Sequence, residues 1–196
     1  MAEDTLLYIG LFATVVLVVL IIYFKRNYDK KHQVAHTLKK YSQIEVNNIL
    51  IPDGVGGVIE IEHLLLLEQG ILLIETNPIS GLIFAADKME NWSQVSAGRS
   101  YKFVNPLYRL QLAQQALQDL IPKTPVFCRL IFVAEAALFP KGKPEKVSTA
   151  ATLEADLEPL NREVIISQQA HMAWQVISDI ASKDKQEKLY QGQYND

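Results

Sequence analysis

Val58-Ile59-Glu60-Ile61-Glu62-His63-Leu64-Leu65-Leu66-Leu67, then Glu68-Gln69, then Gly70-Ile71-Leu72-Leu73-Ile74-Glu75-Thr76-Asn77, is the stretch on which the fold turns. Two apolar runs of strand length flank a short polar break, and Glu68-Gln69-Gly70 reads as a tight hairpin connection. A carboxylate interrupts or ends each run where a core strand would carry another Val or Ile. A charge buried without a partner is costly. Residues two apart on a strand face the same way, so Glu75 and Asn77 share a face. The hairpin partner then brings Glu62, or its same-face neighbour Glu60, alongside. Glu60 and Glu62 equally fit solvent-facing positions on an edge strand, alternating with Val58, Ile59 and Ile61.

The chain of 196 residues opens on a different chemistry. Residues 5–24 hold no charge and no proline. At helical rise, such a run spans the hydrocarbon thickness of a bilayer, about 30 Å. The residues before it are acidic (Glu3, Asp4), which speaks against a cleaved leader. Lys25, Arg26, Lys30 and Lys31 follow it, with Tyr8 and Tyr23 near its ends. The expectation is a transmembrane helix over 5–24 and a basic juxtamembrane segment over 25–31. The anchor is single-pass in an inner or plasma membrane, with the C-terminal domain cytoplasmic. All 19 Lys and Arg residues and all but two of the 22 Asp and Glu residues lie beyond the span, so the remainder is nearly neutral. No global basic field draws in nucleic acid. The single cysteine, Cys128, excludes an internal disulfide framework and reads as a buried core residue.

Outward from the central hairpin, residues 29–42 read as a helix and Ile44–Ile51 as a first strand. Leu82–Phe84 and Trp92–Val95 read as a second hairpin. Asn105-Pro106 opens an amphipathic helix that ends before Pro122. Val126–Ala134 is near-continuously apolar, the signature of a central strand covered on both faces. Lys141–Lys146 reads as an exposed loop, Ala150–Leu157 as a short helix and Glu163–Ile166 as a last strand. A helix follows over His171–Ala181, then a polar tail over 184–196. The order implies an α/β sandwich around a mixed sheet.

Two carboxylates that approach each other repel, and a hard divalent cation relieves that repulsion. Mg²⁺ takes oxygen ligands from one or two carboxylates and completes its shell with waters and phosphate. His63 and Trp92 read as structural, and Asn105 as a helix cap. No nucleophilic triad, phosphate-binding glycine loop or zinc spacing stands out.

The stretches at 59–95 and 102–117 resemble the nuclease-related domain, NERD, of the PD-(D/E)XK nuclease superfamily. The likeness covers about 31–140 within a domain taken as 31–183. It rests on His63, Leu64, Leu65, Gly70, Ile71, Ile74, Glu75, Thr76, Gly81, Trp92, Gln94, Asn105 and Pro106, in order and spacing. The resemblance implies a restriction-endonuclease-like mixed sheet flanked by helices. It also implies metal-dependent cleavage of DNA or RNA, with Glu62 and Glu75 holding Mg²⁺ or Mn²⁺. Glu62 replaces the family's metal-binding Asp, Asn77 its catalytic Lys, and Lys30-Lys31-His32-Gln33 stands where the family has Gly-Glu. By the same resemblance, Asn77 orients the water and Gln94 supports the site. Two function classes follow: a membrane-anchored nuclease with a degenerate site, or a non-catalytic module that binds a protein or nucleic acid at a membrane or within a membrane assembly.

Overall fold

The computed structural model describes residues 33–42, 44–134, 136–160 and 167–193, together with Thr14 and residues 16–18. A helix, α1, covers 33–41. It is followed by β1 (Glu45–Pro52), β2 (Val58–Leu67), β3 (Gly70–Asn77), β4 (Gly81–Phe84), β5 (Asn91–Ser96) and β6 (Arg99–Val104). Then come α2 (Leu107–Leu120), β7 (Val126–Phe132), β8 (Ala137–Leu138), β9 (Val147–Thr149), α3 (Leu153–Leu157) and α4 (Gln168–Gln193). The strand expected at Glu163–Ile166, the basic segment 25–31 and nearly all of the 5–24 span lie outside the described residues. Among the described residues, no helix is long and apolar enough to cross a membrane.

The expected mixed sheet is present, with five strands in the order β1-β2-β3-β7-β9. The hairpins β1–β2 and β2–β3 are antiparallel, whereas β3–β7 and β7–β9 are parallel. Helices cover both faces. Leu107, Leu110, Ala113 and Leu117 of α2 and Ala170, Ala173 and Ile177 of α4 pack on Leu64, Leu66, Ile71, Leu73 and Leu130. Val34 and Leu38 of α1 and Leu153 and Leu157 of α3 pack on Leu65, Leu67, Leu72, Ile74 and Ile131. Burial on both sides explains why β3 and β7 read as continuous apolar runs.

A second sheet, with strand order β6-β5-β4-β8, goes beyond the single sheet expected. It docks through Trp92, which is fully buried, stacks on Phe132 and meets Phe103 edge-on. Three of the strands were not foreseen. In β6 most residues are exposed, and β8 and β9 have two and three residues, too short for a period to register. The loop expected to be exposed at Lys141–Lys146 is partly buried: Pro144 is covered, and Lys143 Nζ donates to Asp156 and to the Val147 carbonyl. The last helix runs to Gln193, so much of the expected polar tail is helical.

Asn105 begins α2 as its sequence implies. Its Oδ1 accepts the Leu107 N–H at 2.9 Å, and its Nδ2 donates to the carbonyls of Asp87 and Met89. One side chain thus caps the helix and fastens the loop between β4 and β5 to it. Gly70 answers a closer constraint. A Cβ there would run into the carbonyl oxygen of Pro125, which accepts the Ile71 N–H at 3.0 Å. Gly70→Ala should therefore force apart the start of β3 and the turn before β7. The expected loss is about 1–3 kcal/mol, the usual cost of overpacking. Urea unfolding will read it as a lower midpoint at unchanged slope.

Candidate functional site

The site is set where β2 parts from β3. Their pairing runs from Leu67↔Gly70 to His63↔Ile74. Beyond it, the Glu62 carboxylate enters the gap and accepts the backbone N–H and the hydroxyl of Thr76, both at 2.6 Å. A side chain thus takes a backbone donor at the end of the pairing. On the other side of β2, Asn48 of β1 adopts a left-handed φ of 53°, and the pairs Asn47↔His63 and Ile49↔Ile61 flank it in one unbroken register. Ile61 and Leu64, three residues apart, both join the core under α2 and α4. Strict alternation is broken between them, at Glu62-His63.

Glu62 and Glu75 consequently reach the same end of the hairpin from different sides. Thr76, which holds Glu62, shares its parity on β3 with Leu72 and Ile74, on the α1 face. Glu75 shares its parity with Ile71 and Leu73, on the α2 face. A cavity of about 430 Å³ opens beside Glu62, walled by Val34 and Leu38 of α1 and lined by His63, Thr76 and Pro78. His63 is tied on both sides: Nδ1 lies 2.7 Å from Asn47 Oδ1, and Nε2 lies 3.5 Å from Glu62 Oε1.

Glu75 is the most constrained group. Its side chain is 6% exposed, and Oε1 is buried with no hydrogen-bond partner. Its Oε2 lies 3.5 Å from Nη1 of Arg109, on α2. Burial raises the proton affinity of Glu75 above that of an ordinary carboxylate; Arg109 opposes the shift, and the charge of Glu62 adds to it. The two carboxylates therefore sense each other across the end of β3. Asn77 uses Oδ1 to accept the Ile79 N–H at 2.9 Å, closing the turn that leaves β3. Gln94, on β5, donates from Nε2 to the Ser80 carbonyl at 2.7 Å and so braces that same turn. Glu60 is exposed, but β2 lies between β1 and β3 rather than at the sheet edge that the solvent-facing alternative supposed, and the Glu60 backbone carbonyl accepts from Arg109 Nη2 at 2.9 Å.

The donor chemistry fits a hard cation at Glu75. An orphaned, buried carboxylate oxygen is what an oxygen-seeking ion relieves, whereas Glu62 reaches the same strand end from the other face with both oxygens bonded to Thr76, and would have to turn from Thr76 to share the ion. Among the described residues, no group of three or more His, Cys, Asp or Glu converges into a complete cage. Arg109 is the residue that sequence reasoning missed. It sits on the helix that Asn105-Pro106 announces, but only the packing of α2 across the sheet brings it to Glu75. Cys128 is buried as expected, its Sγ 3.2 Å from Gln114 Oε1.

The raised proton affinity of Glu75 has a sign in stability. Between its ordinary and its native titration, the folded chain holds a proton that the unfolded chain has released, so stability falls as pH rises through that window. Glu75→Gln should therefore be more stable than the parent at neutral pH. The difference should vanish below about pH 4, where an ordinary carboxyl is protonated in both states. Thermal unfolding of the two proteins across that range tests it; a parent more stable at neutral pH would refute the burial argument.

The family model for the nuclease-related domain, NERD, matches residues 26–133. An uncharacterized protein of Bacillus anthracis is 24% identical over 103 residues, which are 53% of this chain and 46% of that protein. The chain thus spans about half the length of the curated relative it matches. No solved structure matches. With more than half its length matched, including both carboxylate strands, the cap at Asn105 and the strand β7, the chain belongs to the nuclease-related domain family.

Proposed function

We propose that this chain is a membrane-anchored nuclease-related protein whose Glu62 and Glu75 hold Mg²⁺ or Mn²⁺ for hydrolysis of a phosphodiester bond in DNA or RNA. The observation that carries the reading is Glu75: a carboxylate buried at a strand end, with one oxygen unsatisfied and its proton affinity raised chiefly by that burial, with a smaller contribution from the charge of Glu62. Perturbed acids of this kind cluster at functional sites. A cation bound there would acidify a water and stabilise charge on the phosphoryl group. Thr76 holds Glu62 in place through two hydrogen bonds. Asn77, two residues from Glu75, has its amide nitrogen to orient a water, while Gln94 keeps the turn at Ser80 from shifting. The superfamily resemblance supports a restriction-endonuclease-like arrangement of the five-stranded sheet. The anchor rests on the uncharged 5–24 span and the basic residues after it, and with them the cytoplasmic placement of the domain.

A second reading has its own support. Both oxygens of Glu62 already accept hydrogen bonds from Thr76, and Asn77 brings no charge. These features suit a non-catalytic module tethered to a membrane, where it binds a protein or nucleic acid.

Calorimetric titration of the full-length chain with Mn²⁺, beside Glu62→Ala and Glu75→Ala, separates the two. The cation reading expects binding in the parent and a loss in each variant at least as large as the 10–100-fold that removal of an outer partner typically costs. Asn77→Lys should then raise oligonucleotide cleavage. A parent that is folded, takes up no Mn²⁺ and cuts nothing would establish the non-catalytic module.

A further inference from the structure

Arg109 is oddly placed for a residue whose task is stability. It is the third residue of α2, within the first turn, where the helix dipole already leaves partial positive charge and favours acids. No acidic residue occupies that turn. A cation there typically forgoes about 0.3–1 kcal/mol of favourable dipole interaction. Its ion pair does not recover much. The contact with Glu75 is 3.5 Å, longer than the roughly 2.7–2.9 Å of a strong charge-assisted hydrogen bond, and no two-pronged fork is closed. Arg109 Nη2 is fixed instead by the Glu60 carbonyl at 2.9 Å. The side chain is 57% exposed, whereas the carboxylate beside it is 6% exposed. The guanidinium is therefore positioned by β2, leans on Glu75 and presents much of its surface to solvent over the end of β3.

What the site lacks is a positive charge from β3 itself. Asn77 stands on the Glu75 side of the strand and is neutral, with Oδ1 committed to Ile79. We propose that Arg109 supplies from α2 the positive charge that Asn77 does not supply from β3, and contacts a phosphate oxygen of a nucleic-acid backbone at the Glu75 site. This inference rests on the phosphodiester reading of the site. Arginine suits the role, because its planar donors match phosphate oxygens and its charge persists at all working pH values. The Glu60 carbonyl and Glu75 hold the group in place beforehand, which lowers the entropy lost when phosphate arrives.

Oligonucleotide binding by the full-length chain, followed by fluorescence anisotropy over a range of salt, tests the proposal. Ca²⁺ and EDTA buffers are run side by side, with Arg109→Gln, Arg109→Lys and the parent. Arg109→Gln should weaken binding about tenfold and lower the slope of log affinity against log salt by about one, the signature of one lost phosphate contact. Arg109→Lys, which keeps the charge, should retain the parental slope. Thermal unfolding checks that both variants are folded; Arg109→Gln should lose some stability, because it removes the charged neighbour of a carboxylate that is only 6% exposed, whereas Arg109→Lys keeps that charge. A parent that binds while Arg109→Gln matches it in affinity and slope overturns the role of Arg109 and leaves the phosphodiester reading standing. A folded parent that binds no oligonucleotide in either buffer overturns both.

Discussion

Two hydrogen bonds from Thr76 to the carboxylate of Glu62 hold β3 to β2 where their backbone pairing ends. A buried backbone N–H must find an acceptor. In an ordinary hairpin the partner strand provides it, and the two strands stay zipped. Here the Glu62 side chain does so for Thr76, at the end where the sheet opens. Everything distinctive about the site depends on that substitution. The cavity beside α1, the exposed start of β2 and the room for Arg109 all lie where the pairing has stopped. Charge-assisted bonds of this length are among the stronger polar contacts, which suits a group that must hold a split sheet in one geometry.

The rest of the fold behaves as a clamp around that opening. Helices on both faces exclude water from β3 up to Glu75, so the carboxylate meets an apolar strand on one side and the solvent boundary on the other. The second sheet, docked by Trp92 against Phe132, closes over the exit from β3. Gln94 and Asn77 form consecutive supports of that exit rather than a cluster around a reacting atom. Stability and site geometry share the same parts.

The main elements were legible because their causes are local. Apolar runs bounded by Gly70 and Pro78, and the Asn105-Pro106 cap, mark β2, β3 and α2 within a residue or so. The short strands β8 and β9 exist because neighbours pair with them, which no window of sequence contains. The candidate carboxylates were found by their misplacement in apolar runs. Their relative orientation was not, since the spacing rule assumes unbroken alternation and β2 breaks it at Glu62-His63, between Ile61 and Leu64 on one core face. Arg109 lay beyond reach for another reason. Its meeting with Glu75 depends on how α2 crosses the sheet, and helical periodicity says only which face of α2 is apolar.

The parallel pairing of β3 with β7 carries a kinetic consequence. Residues 78–125, comprising the first three strands of the second sheet and the whole of α2, must be accommodated before those two central strands can meet. The free-energy cost of so long a closure is modest, since each doubling of a loop adds only about 0.6 kcal/mol. Its effect on speed is larger, because non-local parallel pairing has to wait for the search that brings distant segments together. During synthesis β1, β2 and β3 leave the ribosome with one edge of β3 bare and strongly apolar. Until β7 arrives to cover that edge, the chain exposes the kind of unpaired strand that invites association with other chains.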